Sequence, residues 1–290
     1  MNMKFNETVD IYGKDNLAVT FLYNTIPGRI LLYIVASTIV SKLFGALMSS
    51  PVSKILIRDF VKKNSINMEE YKDAKYNSFN DFFIREIKSE FRAFPEDENE
   101  VVAPSDGKLT AYPITGDNVF YIKNSKYDLA GILQDEALAK EFMGGVCLIF
   151  RLMPDDYHRY AYIDDGEIID YKRIKGVLHT VRPISQQLYN VYIQNTREYA
   201  VMQTKNFGKV IQMEVGALFV GRITNYMTEG SFQRGEEKGM FEFGGSTVVM
   251  FFQKDTITID DAIYENTQQD KETVVRMGCK IGEKMVKPAV

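Results

Sequence analysis

Residues 239–252 join a glycine-rich turn to an apolar run of strand-forming residues. The run Thr-Val-Val-Met-Phe-Phe at 247–252 directly follows Gly244, Gly245 and Ser246. β-Branched and aromatic residues in this pattern predict a strand that is entered through a tight turn. Because glycine has no Cβ, the carbonyl of Gly245 can be approached closely, and the Ser246 hydroxyl can attack its own upstream peptide bond. An ordinary turn has the same local sequence, so the wider chain must decide between the two interpretations.

The pattern of apolar residues divides the chain into two parts. Residues 1–95 read as mainly helical, and an acidic segment then leads into 96–290, where short alternating apolar segments recur between Gly, Asp and Asn turns. The clearest predicted strands are 145–152, 167–171, 210–215 and 217–223. Such alternation is typical of antiparallel sheets. The predicted fold class is therefore α+β, with a helical N-terminal part followed by a mainly antiparallel β core.

Composition excludes several classes of function. The net charge of the 290 residues is -4, so no overall basic field favours nucleic acid as a partner. Cys147 and Cys279 lie far apart without metal-ligand spacing, and we expect neither a disulfide framework nor a metal site. The first residues are polar and partly acidic, unlike a secretion signal.

The segment 26–48 is strongly apolar. Its uncharged run, 30–41, has about twelve residues, whereas a membrane-spanning helix needs roughly 20. A helix here can lie in the membrane interface, with Arg29, Lys42 and Lys54 facing anionic headgroups. It can equally belong to the protein core, and the sequence leaves both interpretations open.

Residues 76–88 have the pattern of an amphipathic helix. Ser78 and Asp81 have the spacing of an N-terminal capping box. Arg85 lies on this segment. It can be a functional contact, but we expect a surface ion pair with a neighbouring acid. The predicted apolar face comprises Phe79, Phe82, Phe83, Ile87 and Phe91.

The chain offers few groups for acid–base chemistry. His158 and His179 are the only histidines, so an imidazole base must be one of them. Asp106 lies in a Pro-Ser-Asp-Gly turn, where aspartate is common for structural reasons alone. A serine nucleophile needs a base within hydrogen-bond reach, and order along the chain does not restrict which residue supplies it.

Several strings together carry a family resemblance. In chain order they include Phe-Phe-Ile-Arg at 82–85, Pro-Ser-Asp-Gly at 104–107, Asp-Tyr-His-Arg at 156–159 and Gly-Gly-Ser-Thr at 244–247. The chain from about residue 76 onwards resembles the phosphatidylserine decarboxylases, which are self-cleaving, pyruvoyl-dependent enzymes. Each string is weak alone, but their shared order is specific.

The resemblance implies a set of catalytic residues. Ser246 would attack the Gly245 carbonyl, His158 would accept the serine proton, and Asp106 would orient the imidazole. Cleavage between Gly245 and Ser246 would yield a β chain, an α chain and a pyruvoyl group derived from Ser246, without a metal or pyridoxal phosphate. The implied reaction converts phosphatidylserine to phosphatidylethanolamine, in a homodimer bound peripherally or monotopically to the cytoplasmic face of the cell membrane.

One position departs from the family pattern. Many members have a second histidine three residues after the first, where this chain has Ala161. His179 or a tyrosine is then a candidate for contact with the substrate or for proton transfer. Two alternatives remain open at this stage: a pyruvoyl-dependent decarboxylase of another amine, and a non-catalytic membrane lipid-binding relative.

Overall fold

A computed structural model of the chain describes residues 5, 7–11, 17–122, 125–186, 189–218, 222–244 and 246–285. The helices are α1 (Leu17–Asn24), α2 (Ile26–Val35), α3 (Thr38–Met48), α4 (Ile55–Lys63), α5 (Phe79–Phe83), α6 (Leu129–Leu133), α7 (Glu136–Lys140), α8 (Pro183–Gln186), α9 (Val191–Gln194) and α10 (Asp261–Gln268). Short 3₁₀ turns occur at Pro51–Lys54, Met68–Glu70 and Ser89–Phe91.

The strands are concentrated in the second part of the chain. They are β1 (Thr8–Asp10), β2 (Glu100–Val102), β3 (Gly107–Pro113), β4 (Val119–Ile122), β5 (Ser125–Asp128), β6 (Val146–Leu152), β7 (Arg159–Ala161), β8 (Gly166–Ile174), β9 (Arg197–Thr204), β10 (Gly208–Gly216), β11 (Ile223–Asn225), β12 (Gly230–Phe232), β13 (Glu237–Phe241), β14 (Ser246–Phe252), β15 (Ile257–Ile259), β16 (Lys271–Val275) and β17 (Lys280–Lys284).

Nine of these strands form one antiparallel sheet, in the order β1-β16-β3-β6-β14-β10-β9-β8-β12. Two three-stranded sheets, β11-β13-β7 and β15-β17-β2, and the hairpin β4-β5 accompany it. Helices precede the sheets in the chain, and the sheets are antiparallel. The α+β class predicted from the sequence is confirmed.

The central strands of the large sheet are buried on both faces. In β14, Val248 and Met250 belong to one hydrophobic cluster, whereas Val249 and Phe251 belong to another on the opposite face. Alternate residues of a strand point to opposite faces, so the continuous apolar run 248–252 fits this central place. Strand β14 consequently lies deep in the protein, between β6 and β10.

The prediction of a strand at 217–223 is wrong for 217, 218 and 222, which are described residues of this range. Ala217, Leu218 and Arg222 are not part of a strand, and β11 begins only at Ile223. The pairing of β10 with β14 ends at Gly216 because its partner, Ser246, is the first residue of β14. The described chain leaves the sheet at Ala217. The predicted strands at 145–152, 167–171 and 210–215 correspond to β6, β8 and β10.

The apolar segment 26–48 forms two helices instead of one. The chain breaks at Ala36 and Ser37, and the Ser37 hydroxyl accepts a 3.3 Å hydrogen bond from the Val40 amide at the start of α3. This is an N-terminal cap, which favours a new helix start over continuation of the old helix. Among the described residues, no single helix has the length and hydrophobicity to cross a bilayer. Two pairs of helices together have the length and composition of a membrane span, but each pair is bent. The bend is 102° between α1 and α2 and 66° between 39–48 and 51–63.

Two further features of the N-terminal third differ from expectation. Strand β1 pairs with β16 at the edge of the large sheet, so this part of the chain is not only helical. The helix predicted at 76–88 is limited to α5. Its cap is confirmed, because the Ser78 hydroxyl accepts a 3.0 Å hydrogen bond from the Asp81 amide. Phe91, expected on the buried face, lies beyond the helix and is 40% exposed.

Candidate active site

The predicted nucleophile lies at one end of the large sheet. Ser246 is paired with Leu152 of β6 on one side and with Gly216 of β10 on the other. Strand β3 runs along the far side of β6, and its second residue, Lys108, is paired with Arg151. Asp106 immediately precedes β3. The sheet register therefore brings Asp106, the exit of β6 and Ser246 to the same end of three neighbouring strands.

His158 reaches this end through the connection that follows β6. Residues 153–158 lead from β6 to β7, and β7 pairs with β13. The carbonyl of His158 accepts a 2.9 Å hydrogen bond from the amide of Phe241, the last residue of β13. Strand β13 in turn leads through 242–245 to Ser246. One connection joins β6 to β7, and the other joins β13 to β14. Because β6 pairs with β14 and β7 pairs with β13, the two connections lie at the same end of these strands. His158 lies on the first connection, and Ser246 directly follows the second.

Both reactive atoms expected from the sequence are buried. Within the described part of the chain, neither the Ser246 Oγ nor the His158 Nε2 makes a hydrogen bond, and both residues are fully buried. Buried polar atoms without partners are uncommon, and a catalytic role is one explanation for them. Gly244 has a φ of +137°, which residues with a side chain rarely adopt. Gly245 lies outside the described residues.

The hydrogen bond of the His158 ring defines its tautomer. The Nδ1 atom lies 2.9 Å from the carbonyl oxygen of Asp156. A carbonyl oxygen can only accept a hydrogen bond, so Nδ1 carries the proton and Nε2 is left as the basic nitrogen. Burial, followed by the positive charge of Arg85, lowers the pKa of His158 to about 3. The ring is therefore neutral at physiological pH, as a general base must be.

Asp106 is held by an arginine. Its carboxylate accepts hydrogen bonds from the Arg92 Nε and Nη2 atoms, at 2.7 and 2.6 Å, and from the Met277 amide at 2.9 Å. The direct contact with His158 expected from the sequence is not among the hydrogen bonds of the described residues. The physical reason is that the Asp156 carbonyl already occupies Nδ1 of the ring.

A second carboxylate fixes the connection that contains His158. Asp156 accepts hydrogen bonds from the Lys108 Nζ at 2.7 and 2.8 Å and from the Met153 amide at 2.7 Å. Burial raises the pKa of Asp156, and Lys108 opposes this effect. The ion pair ties residues 153–158 to β3. Sequence reasoning missed Arg92 and Lys108, because nothing in the sequence distinguishes these two cations from other surface lysines and arginines.

His179 lies one strand further along the same end of the sheet. Its backbone amide donates to the Asn195 Oδ1 at 3.1 Å, and the Asn195 Nδ2 donates to the carbonyls of His179 and Gly216 at 2.7 and 2.8 Å. Because Gly216 is paired with Ser246, Asn195 links the His179 backbone to the neighbour of the predicted nucleophile.

The His179 ring faces the N-terminal helices. It stacks on the Tyr189 ring, with centroids 4.2 Å apart, and its Nδ1 lies 3.5 Å from the Tyr23 hydroxyl. Burial lowers the pKa of His179, so this ring also favours the neutral form. Ala161, at the position of the missing second histidine, is buried, and its amide donates to the Pro104 carbonyl at 2.9 Å.

Aromatic residues of α3 and α5 hold the turn before Ser246. The Phe243 amide donates to the Asn80 Oδ1 at 2.9 Å. The Phe243 ring contacts three phenylalanine rings at centroid distances of 5.1 to 5.7 Å: Phe44, Phe79 and Phe83. The Phe83 ring also packs against the His158 ring, with centroids 4.0 Å apart. The helical part of the chain therefore supports both the turn and the histidine.

Comparison with known proteins identifies the family of the chain. The sequence model of the family described as phosphatidylserine decarboxylase matches residues 79–283. A phosphatidylserine decarboxylase proenzyme 2 of Clostridium acetobutylicum is 46% identical over 92% of this chain and 92% of its own length. Phosphatidylserine decarboxylase proenzymes of Fusobacterium nucleatum and Clostridium novyi are 41% and 37% identical, over 91% and 97% of this chain and 90% and 99% of their own lengths. The resemblance found in the sequence is confirmed, and the chain belongs to the phosphatidylserine decarboxylase family of carboxy-lyases.

Proposed function

We propose that the protein decarboxylates phosphatidylserine to phosphatidylethanolamine, using a pyruvoyl group that it makes from Ser246. The observation that carries this proposal is the buried Ser246 hydroxyl, which has no hydrogen-bond partner among the described residues and follows Gly244 in a positive-φ conformation. Ser41 and Ser105 also have buried hydroxyls without a partner among the described residues. Ser246 differs from them by the glycine turn that precedes it and by its place at the same end of the sheet as the connection that carries His158.

The self-cleavage begins with attack of the Ser246 Oγ on the Gly245 carbonyl carbon while its proton passes to the His158 Nε2. The Gly245–Ser246 amide bond then breaks, its nitrogen takes up a proton, and an ester remains. Loss of the Ser246 Cα proton and of the Cβ–O bond releases the Gly245 carboxylate and leaves dehydroalanine. Addition of water and loss of ammonia complete the pyruvoyl group.

The aspartates act in this proposal by positioning. The Asp156 carbonyl holds the imidazole in the tautomer that presents Nε2 as base, and the Asp156 side chain is fixed by Lys108. Asp106 joins the start of β3 to Arg92 and to the Met277 amide. We infer that Asp106 supports His158 through this packed end of the sheet.

Once formed, the pyruvoyl carbonyl supplies the electron sink that loss of CO2 from an amine-bearing substrate requires. The α chain beginning at residue 246 remains in place, because β14 is paired on both sides with strands of the β chain. His179 is the candidate for substrate contact or proton transfer, given the bond network through Asn195 that links its backbone to the neighbour of Ser246. The family resemblance further implies a homodimer.

The substrate places the protein at a membrane. Residues 1–95 form the proposed membrane-associating part, and 96–290 form the catalytic core. Large apolar side chains are exposed along α1, α2 and α3, among them Leu17, Ile26, Ile30, Tyr33, Ile39 and Leu43. An apolar surface of this extent fits peripheral or monotopic attachment. We propose the cytoplasmic face of the cell membrane as its location.

Replacement of the nucleophile tests the proposal. Ser246→Ala should leave one uncut chain that lacks decarboxylase activity, because no other hydroxyl occupies this place. Thr247→Val is the matched control: it removes the adjacent buried hydroxyl while retaining the side-chain shape, and it should still cleave. Normal cleavage of Ser246→Ala in denaturing electrophoresis would reject Ser246 as the source of the pyruvoyl group.

A further inference from the structure

A buried arginine beside His158 has no counter-ion among the described residues. Arg85 is only 2% exposed, and its hydrogen bonds come from one nitrogen, Nη2, which donates to the Tyr71 hydroxyl at 3.1 Å and to the Asp155 carbonyl at 3.2 Å. Its Nε and Nη1 atoms are buried and have no partner among the described residues. No carboxylate of the described chain pairs with it. This overturns the surface ion pair expected from the sequence.

A second buried polar group, which has no partner among the described residues, belongs to a side chain that contacts the same phenylalanine ring as Arg85. The Arg85 guanidinium packs over the Phe82 ring at 4.8 Å, and the Tyr76 ring contacts Phe82 with centroids 5.4 Å apart. The Tyr76 hydroxyl is buried without a hydrogen-bond partner in the described chain. Two sets of buried donors therefore point to a missing acceptor.

Leaving a buried cation unpaired is unfavourable, since both its desolvation and its unused donors cost free energy. The structural contacts of Arg85, which are the two Nη2 hydrogen bonds and the packing over the Tyr71 and Phe82 rings, leave its Nε and Nη1 donors unused within the described chain. The guanidinium offers five N–H donors in a planar arrangement suited to phosphate and carboxylate. An anion that enters during the catalytic cycle would supply the missing partner.

The location of Arg85 narrows the choice of anion. It follows α5, whose Phe82 also contacts Phe60 of α4, and α4 exposes apolar residues such as Ile55. On its other side, Arg85 binds the connection that carries His158. The residue thus lies between the proposed membrane surface and the reaction centre, where the headgroup of a bound lipid would enter.

We propose that Arg85, assisted by the Tyr76 hydroxyl, binds the phosphodiester of the phospholipid substrate; this inference rests on the function proposed above. The substrate carboxylate is the less suitable ligand, because a cation that stabilises the carboxylate in the ground state opposes its loss as CO2. The phosphodiester keeps its charge throughout the reaction. Arg85 is therefore assigned to substrate binding and specificity, and not to bond breaking.

The experiment uses purified, self-cleaved protein and compares Arg85→Gln, Arg85→Lys and Tyr76→Phe with the parent. Arg173→Gln is the matched control, because Arg173 is a cation of β8, outside residues 1–95, whose side chain is 62% exposed. Arg85→Gln should raise KM for phosphatidylserine in mixed micelles with little change in kcat, lowering kcat/KM roughly 10- to 100-fold. Arg85→Lys and Tyr76→Phe should have smaller effects, and Arg173→Gln should match the parent.

A binding readout independent of turnover uses soluble ligands without acyl chains. Glycerophosphoethanolamine should raise the melting temperature of the parent more than ethanolamine does, and Arg85→Gln should abolish this difference. A difference between serine and ethanolamine that disappears in Arg85→Gln would assign the residue to the carboxylate and overturn the proposal. A kcat/KM of Arg85→Gln equal to that of the parent would also overturn the proposal.

Cleavage separates this inference from the proposed function. If the parent is cut and has a reactive carbonyl while Arg85→Gln and Arg85→Lys both remain uncut, Arg85 belongs to the cleavage machinery or to the fold, and the phosphodiester assignment fails. A large fall in the melting temperature of ligand-free Arg85→Gln would likewise show that Arg85 stabilises the fold, and the phosphodiester assignment would fail. Absence of cleavage in the parent itself would instead reject the function on which the inference rests.

Discussion

At the scale of single residues, the site depends on polar atoms that are removed from water. The Ser246 hydroxyl and the His158 Nε2 are buried and unpaired in the described chain, whereas the opposite nitrogen of the same ring is fixed by the Asp156 carbonyl. Such an arrangement keeps the imidazole neutral and directs its basic nitrogen away from solvent.

The buried histidine predicts a specific pH dependence of stability. The pKa of His158 is lowered from 6.5 to about 3, so as the pH falls below 6.5 the unfolded chain takes up a proton that the folded chain does not. The stability contributed by the neutral ring is present above pH 6.5 and is lost progressively towards pH 3, by up to about 1.4 kcal/mol per pH unit.

Urea unfolding of Ser246→Ala, with and without His158→Gln, measures this term without interference from cleavage. Between pH 7.5 and pH 5, on the order of 1 to 2 kcal/mol of relative stability should shift in favour of the glutamine variant. If the two proteins lose stability in parallel over this interval, His158 does not stay neutral in the folded state.

Sequence reasoning identified the chemical groups better than their contacts. The strings around Asp106, His158 and Ser246 singled out residues that the fold brings to one end of the large sheet. It did not predict that the Asp156 carbonyl would hold the imidazole or that Arg92 would hold Asp106, because such contacts depend on side-chain directions in three dimensions. Arg85 was placed at the surface for a related reason: a charged residue in an amphipathic pattern is normally solvated.

At the scale of elements, the turn before Ser246 is supported by helices from the first third of the chain. Phe243 packs against rings of α3 and α5, and its amide is bound by Asn80. The short pattern 76–88 predicted the buried phenylalanines but not the end of α5 at Phe83, because local propensity does not show where tertiary contacts replace helical hydrogen bonds.

This support predicts that Phe243 controls the rate of self-cleavage. Phe243→Ala removes the ring that packs against α3 and α5, so the turn should hold the cleavage site less precisely. Cleavage should therefore slow roughly 10- to 100-fold. Phe91→Ala is the control, since Phe91 is 40% exposed outside this cluster. The time course of cleavage after synthesis in a cell-free system gives both rates; a parental rate for Phe243→Ala would show that the helices do not position the turn.

At the scale of the whole molecule, a deeply buried sheet is joined to helices with an exposed apolar surface. The short apolar segments between turn residues after residue 100 predicted the sheet. Its central strands β6 and β14 are nearly continuous apolar runs because both of their faces are buried. The sequence could not decide between a core helix and an interfacial helix at 26–48, since that choice depends on what the rest of the chain covers. The structure leaves Ile39 and Leu43 of α3 70% and 68% exposed.

These two residues predict how the protein binds membranes. The double variant Ile39→Glu/Leu43→Glu should lose affinity for phosphatidylserine-containing vesicles roughly 100-fold or more, because two apolar side chains no longer enter the interface. Ile169→Glu changes a 47% exposed residue of β8 and should leave binding unchanged. Equal sedimentation of the parent, the double variant and Ile169→Glu with vesicles would show that α3 does not contact the membrane.

Intact mass spectrometry of freshly purified protein, with and without a carbonyl reagent, tests whether Ser246 becomes the catalytic carbonyl group. We expect two fragments that meet between Gly245 and Ser246, with only the smaller fragment gaining the mass of the reagent at its N terminus. A single unmodified chain that persists after incubation with anionic membranes, or a cut at any other position, would contradict the assignment of Ser246 as the source of the catalytic group.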